Sequence, residues 1–144
     1  MKADCVIEEG LNKLETKRGW VKGELYVDGS VCAIGAVNVG LMMCGEKNKD
    51  LMEVPSCEDG RTKKDILTTL EVLKALWDEL PSAWQEGFTA RKYEELNSKS
   101  TKGDLLTVIE SFESDIISYN DSRSDKRPVV KLFKKALASL RKDQ

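Results

Sequence analysis

The sequence predicts a mainly α protein: a compact bundle of about five to six helices around a central helix of small residues, with one very short β-hairpin or extended corner near residues 20–31. Three observations predict it. Apolar residues recur at helical spacing through most of the chain, as amphipathic helices require. The stretch Val31–Cys44 is apolar on nearly every side, which suits a helix covered by others. Leu25 and Val27 alternate around Tyr26 just before Asp28-Gly29, the dipeptide that most readily makes a tight hairpin turn.

The first helix is read over 3–17, with Ala3, Ile7, Gly10, Leu11 and Leu14 on one face, and it stops near Gly19. After the hairpin, Cys32, Ala36 and Gly40 recur at i, i+4 and i+8, a stripe small enough for a neighbouring helix to approach closely. Gly35 and Gly40 each cost roughly 1 kcal/mol relative to Ala in a helix interior, a loss that close packing offsets. Residues 45–62, with Lys47, Asn48, Lys49, Pro55, Asp59 and Gly60, read as a long surface loop.

Thr62 and Asp65 form a T-x-x-D start signal, followed by Ile66, Leu70, Leu73, Trp77 and Leu80 on one face until Pro81. Ser82 and Gln85 read as a capping box for a further helix carrying Trp84, Phe88 and Leu96, weakened by Gly87. From about residue 104, Leu105, Ile109, Phe112, Ile116 and Tyr119 make another stripe, broken at Tyr119-Asn120-Asp121. The last helix begins near Lys126, tolerates Pro128 in its first turn and buries Val129, Phe133, Ala136, Leu137 and Leu140. Asn120 and Asp121 are expected to cap its start. At 144 residues, one domain spanning 1–144 is expected.

The pattern Gly19-Trp20, Gly23, Asp28-Gly29, Cys32-Ala33-x-Gly35-Ala36, then Asn120-Asp121, Val129 and a final helix resembles a small uncharacterised family found in actinobacteria and bacteriophages. The resemblance covers the first 40 residues and the last 30 or so; residues 45–103 read as a lineage-specific elaboration. It implies a compact domain of phage or mobile-element origin and no particular substrate. Trp20, Asp28, Gly29, Cys32, Gly35, Asn120 and Asp121 form its structural signature.

Function is bounded mainly by exclusion. The chain has no histidine, which removes Cys-His and Ser-His catalysis within one chain and histidine-bearing zinc sites. Cys32, at the start of a helix, is a conceivable nucleophile, but a buried packing role is favoured. The carboxylate pairs Glu8-Glu9, Asp78-Glu79 and Glu94-Glu95 read as solvated surface. Gly35 and Gly40 flank four residues, yet Leu41-Met42 stand where a phosphate loop needs Lys and Ser or Thr. Cys5, Cys32, Cys44 and Cys57 match no zinc-knuckle spacing and are expected as reduced thiols. No catalytic residue, cofactor or metal is expected. Val31–Cys44 is too short to span a membrane, and the acidic N-terminal stretch does not read as a secretory signal, so a cytoplasmic location is expected.

One charge asymmetry stands out. Between Arg123 and Lys142 eight Lys or Arg face the single Asp125, in a chain of net charge −2. Arg123, Lys126, Arg127, Lys131, Lys134 and Lys135 are therefore the candidate partner-binding residues. The leading expectation is a small non-enzymatic protein-binding module, an accessory protein of a phage or mobile element that binds and masks a host protein. Two alternatives are weaker: an enzyme using Cys32 or surface carboxylates, and nucleic-acid binding through the basic last helix, whose only interleaved aromatic is Phe133.

Overall fold

The computed structural model describes residues 2–45 and 62–143. The interior of the loop expected at 45–62, with Cys57, lies outside the described residues. The chain is mainly α, with α1 Ala3–Leu14, β1 Tyr26–Val27, β2 Ser30–Val31, α2 Ala33–Cys44, α3 Lys63–Asp78, α4 Gly87–Glu94, α5 Lys102–Ser122 and α6 Arg127–Lys142. Among the described residues no helix is long and apolar enough to cross a membrane.

Helix α2 is the centre, every residue from Ala33 to Met42 being buried. Helix α1 packs along it, α6 lies against α1 and α3, and α5 packs on α3 and α2 with α4 on its outside. The stripe of small residues does what its spacing predicts. A Cβ on Gly40 would lie 2.1 Å from the Val6 carbonyl oxygen, and one on Gly10 would lie 2.8 Å from that of Ala36. The two backbones therefore touch, and Val6, Ile7 and Leu14 are buried alongside Val37 and Leu41. The polar exception in α2 is Asn38, whose buried Oδ1 has no hydrogen-bond partner among the described residues.

The hairpin forms as expected. Tyr26 pairs with Val31 and Val27 with Ser30, and Asp28 and Gly29 have φ of 47° and 87°, the two positive angles of a type I′ turn. Gly19–Val21 adds a third short edge: the Val31 N–H donates to the Gly19 carbonyl at 2.8 Å and the Val21 N–H to the Val31 carbonyl at 3.1 Å.

Four expectations change. Helix α1 ends at Leu14 rather than near 17, because the Thr16 hydroxyl and N–H both turn back onto the Lys13 carbonyl. The helix expected from Ser82 divides into a 3-10 turn, Ser82–Trp84, and α4. Gln85 does not close a capping box; its amide donates to the Trp77 carbonyl at 2.8 Å, anchoring the turn to the end of α3. Helix α5 starts at Lys102, where Thr101 and Asp104 form a reciprocal capping box, and runs through Asn120 and Asp121 to Ser122.

The fourth change is covalent. Cys5 and Cys44 are joined by a disulfide, against the expectation of reduced thiols, because the packing of α1 on α2 brings their Cα atoms to 6.2 Å. Spacing along the chain carries no trace of a pairing 39 residues apart.

Two predictions follow from α1 and α2. Gly40→Ala forces the helices apart and lowers the unfolding free energy by about 2–3 kcal/mol in urea titration, whereas Gly87→Ala, with open space around its Cβ, costs nothing. Replacing Cys5 and Cys44 together by Ser removes a cross-link worth about 3 kcal/mol, lowering Tm by roughly 10 °C in calorimetry while the helical circular-dichroism spectrum is retained.

Candidate functional site

Two groups of sequence-flagged residues can be located: the signature around Trp20, and the basic residues of the C-terminal part. The signature assembles around one side chain. Asn120, fully buried in the last turn of α5, accepts at Oδ1 from the Trp20 indole N–H at 2.7 Å and from the Ala33 backbone N–H at 3.0 Å. Its Nδ2 donates to the Val21 carbonyl at 3.2 Å and to Asp121 Oδ1 at 3.1 Å. Asp121 Oδ1 also accepts from the Gly23 N–H at 2.8 Å. Both lone pairs and both hydrogens of the carboxamide are thereby used.

This corrects the role expected of Asn120 and Asp121. They cap the start of α2 and pin the Trp20 corner, not the start of α6. At α6 the Asp125 carboxylate accepts from the Arg127 N–H at 2.9 Å. Cys32 is the N-cap of α2, its sulfur accepting from the Gly35 N–H at 3.4 Å. Gly35 is required because a Cβ there would sit 2.2 Å from the Leu25 carbonyl oxygen. Asp28 and Gly29 lie at the hairpin tip, away from this network.

Burial raises the pKa of the Cys32 thiol above its ordinary value, outweighing the backbone N–H groups that favour the thiolate. At 3% exposure this sulfur is a poor nucleophile at neutral pH. One acid of each adjacent surface pair makes an ion pair: Glu8 with Arg141 at 2.9 Å, Asp78 with Lys74 at 2.5 Å and Glu95 with Lys92 at 3.7 Å.

The six candidate binding cations divide by use. The Arg123 guanidinium lies 4.8 Å from the ring centre of Tyr119 and 5.7 Å from that of Trp84. Lys126 donates to the Leu14 and Thr16 carbonyls at 3.0 and 2.8 Å, satisfying the C-terminal end of α1, where a cation also opposes the helix dipole. Arg127 forks onto Asp125 at 3.0 and 2.9 Å, holding that carboxyl well below its usual range, at about 2. Lys134 reaches Glu15 only at 3.9 Å. Lys131 and Lys135 are exposed, with no hydrogen bond or ion pair among the described residues.

No family model matches the chain, and no curated protein and no solved structure matches it.

Sequence reasoning missed one buried polar centre. Asp115, 6% exposed on α5, accepts from the Trp77 indole N–H at 2.8 Å and from the Glu86 N–H at 3.3 Å. The signal was present: Asp115 falls on the same helical face as Phe112 and Tyr119, where a carboxylate requires a buried donor.

Replacing Asn120 by Leu leaves the Trp20 and Ala33 donors unmet and is expected to cost about 3–4 kcal/mol in denaturant unfolding. Asn120→Asp keeps the acceptor but sets an oxygen against the Val21 carbonyl and Asp121 Oδ1, so it too is expected to destabilise, and the Trp20 indole proton resonance reports the bond directly in both variants.

Proposed function

We propose that this protein is a small non-enzymatic binding module that grips another protein through the outer face of α6, acting as an accessory protein of a phage or mobile element that masks a host protein. The observation carrying this reading is that the fold uses Arg123, Lys126 and Arg127 for its own packing and capping but, among the described residues, leaves Lys131 and Lys135 unpaired and Lys134 weakly held. Exposed cations kept beside one another on a rigid helix steer and orient an acidic partner. The buried Cys32, its pKa raised by burial, argues against the thiol form of the enzymatic alternative. The accessory role extends the proposal from the sequence pattern Gly19-Trp20 to Asn120-Asp121, read as that of a phage and actinobacterial family.

The same reading takes the host cytoplasm as the place of action. Thiol buffers there would hold Cys5 and Cys44 reduced, so their oxidation state in the cell reports the compartment.

A photo-crosslinking residue at position 135, in the chain expressed in its host, is expected to capture one protein at near-stoichiometric yield. Lys131→Glu with Lys134→Glu should abolish the adduct. Capture of nucleic acid, or an adduct untouched by the charge reversal, overturns the reading.

A further inference from the structure

We propose that the cleft between the C-terminal end of α1 and the outer side of α6 receives an extended, carboxylate-rich segment of the partner protein, and that Glu15 occupies one of its carboxylate positions in the free molecule. This rests on the reading of α6 as the binding face and specifies what that face recognises. The cleft has a volume of about 410 Å³ and is lined by Glu15, Lys126, Arg127, Val130, Lys131 and Lys134. Arg127 is already paired with Asp125, but Lys126, Lys131 and Lys134 remain against the single carboxylate of Glu15, so the potential inside favours an anionic occupant.

Glu15 shows how such an occupant sits. It is the C-cap residue of α1, where a negative charge is opposed by the helix dipole, and its pairing with Lys134 is long at 3.9 Å and half-exposed. An ion pair of that kind contributes little and exchanges readily for a better-placed carboxylate. Displacing Glu15 releases Lys134, which with Lys131, unpaired among the described residues, gives two neighbouring cations on one helix side.

Lys131 and Lys134 lie three residues apart on one side of the helix, about 4.5 Å along its axis. Alternate side chains of an extended chain are roughly 6.7 Å apart, a spacing that the long lysine stems span, so two acids of one extended segment can each meet a cation. Val130 gives the cleft an apolar wall, and no aromatic ring lines it for base stacking. In a chain of net charge −2 these features favour an acidic polypeptide over nucleic acid.

Fluorescence anisotropy on the full chain tests this with a labelled peptide of about ten residues carrying Glu at alternate positions, its Gln counterpart, and an oligothymidylate of similar charge. The Glu peptide is expected to bind, with affinity falling as salt is raised, and the Gln peptide not to bind. Lys131→Glu with Lys134→Glu should weaken binding by about tenfold or more. The decisive variant is Glu15→Gln, expected to tighten binding several-fold, whereas Glu110→Gln, the same charge change on α5 outside the cleft, leaves it within error. Thermal melts confirm that each variant is folded. Equal effects of Glu15→Gln and Glu110→Gln, no binding of the Glu peptide, or oligothymidylate binding as tightly as the peptide would each overturn the proposal. If position 135 still captures a host protein while the Glu peptide fails to bind, the cleft assignment falls and the binding-module reading stands; capture of nucleic acid removes both.

Discussion

A buried carboxamide has two lone pairs and two hydrogens to satisfy, and in this protein one such group, Asn120, satisfies them with the Trp20-Val21 corner, the start of α2 and its own neighbour Asp121. The Trp20 indole, the first N–H of α2 and the Val21 carbonyl meet in one place, so none can move without exposing the others' unmet bonds at about 1–3 kcal/mol each. Helix α5 repeats the device one stripe earlier, where Asp115 receives the Trp77 indole and the backbone ahead of α4. Two of the chain's three tryptophans are thus tethered to α5 through their N–H groups, which aligns that helix with both the hairpin corner and α3.

The sequence was most informative where cause and effect are local. The Asp28-Gly29 turn, the Thr62 cap and the all-round apolarity of α2 each follow from a few adjacent residues, and each stands in the structure. The small residues of α2 also disclosed a long-range property, since only close approach of another backbone offsets two glycines in a helix. Where distant segments compete for the same group, local reading failed. Gln85 suits a capping box with Ser82, but the Trp77 carbonyl takes its amide. Asn120 suits a turn, yet donors 87 and 100 residues away hold it inside a helix. Cysteine spacing carries no information about which helices lie side by side.

The basic character of the C-terminal part was plain in the sequence, but its division of labour was not. Lys126 and Arg123 are structural cations, one closing α1 and the other covering the edge of Trp84 and Tyr119. The same helix that contributes Val129, Leu132, Phe133 and Ala136 to the core therefore presents its remaining charge on a rigid support. Rigidity matters for recognition, because side chains on a helix already anchored on its opposite face lose less freedom when a partner arrives. The candidate site is thus the outward face of an element whose inward face is core.

The disulfide between Cys5 and Cys44 has a topological meaning beyond its contribution to stability. It closes residues 5–44 into a covalent ring that contains the rest of α1, the Trp20 corner, the hairpin and α2. The exposed hairpin tip is the natural point for a protease to enter this part of the molecule. A cut there in the oxidised protein severs the main chain but separates nothing: the two pieces stay joined through sulfur, and the Asn120 contacts still hold both sides of the break. In the reduced protein the same cut leaves only packing and hydrogen bonds to retain the N-terminal helix, so the redox state of one bond sets whether a nick is silent or releases α1.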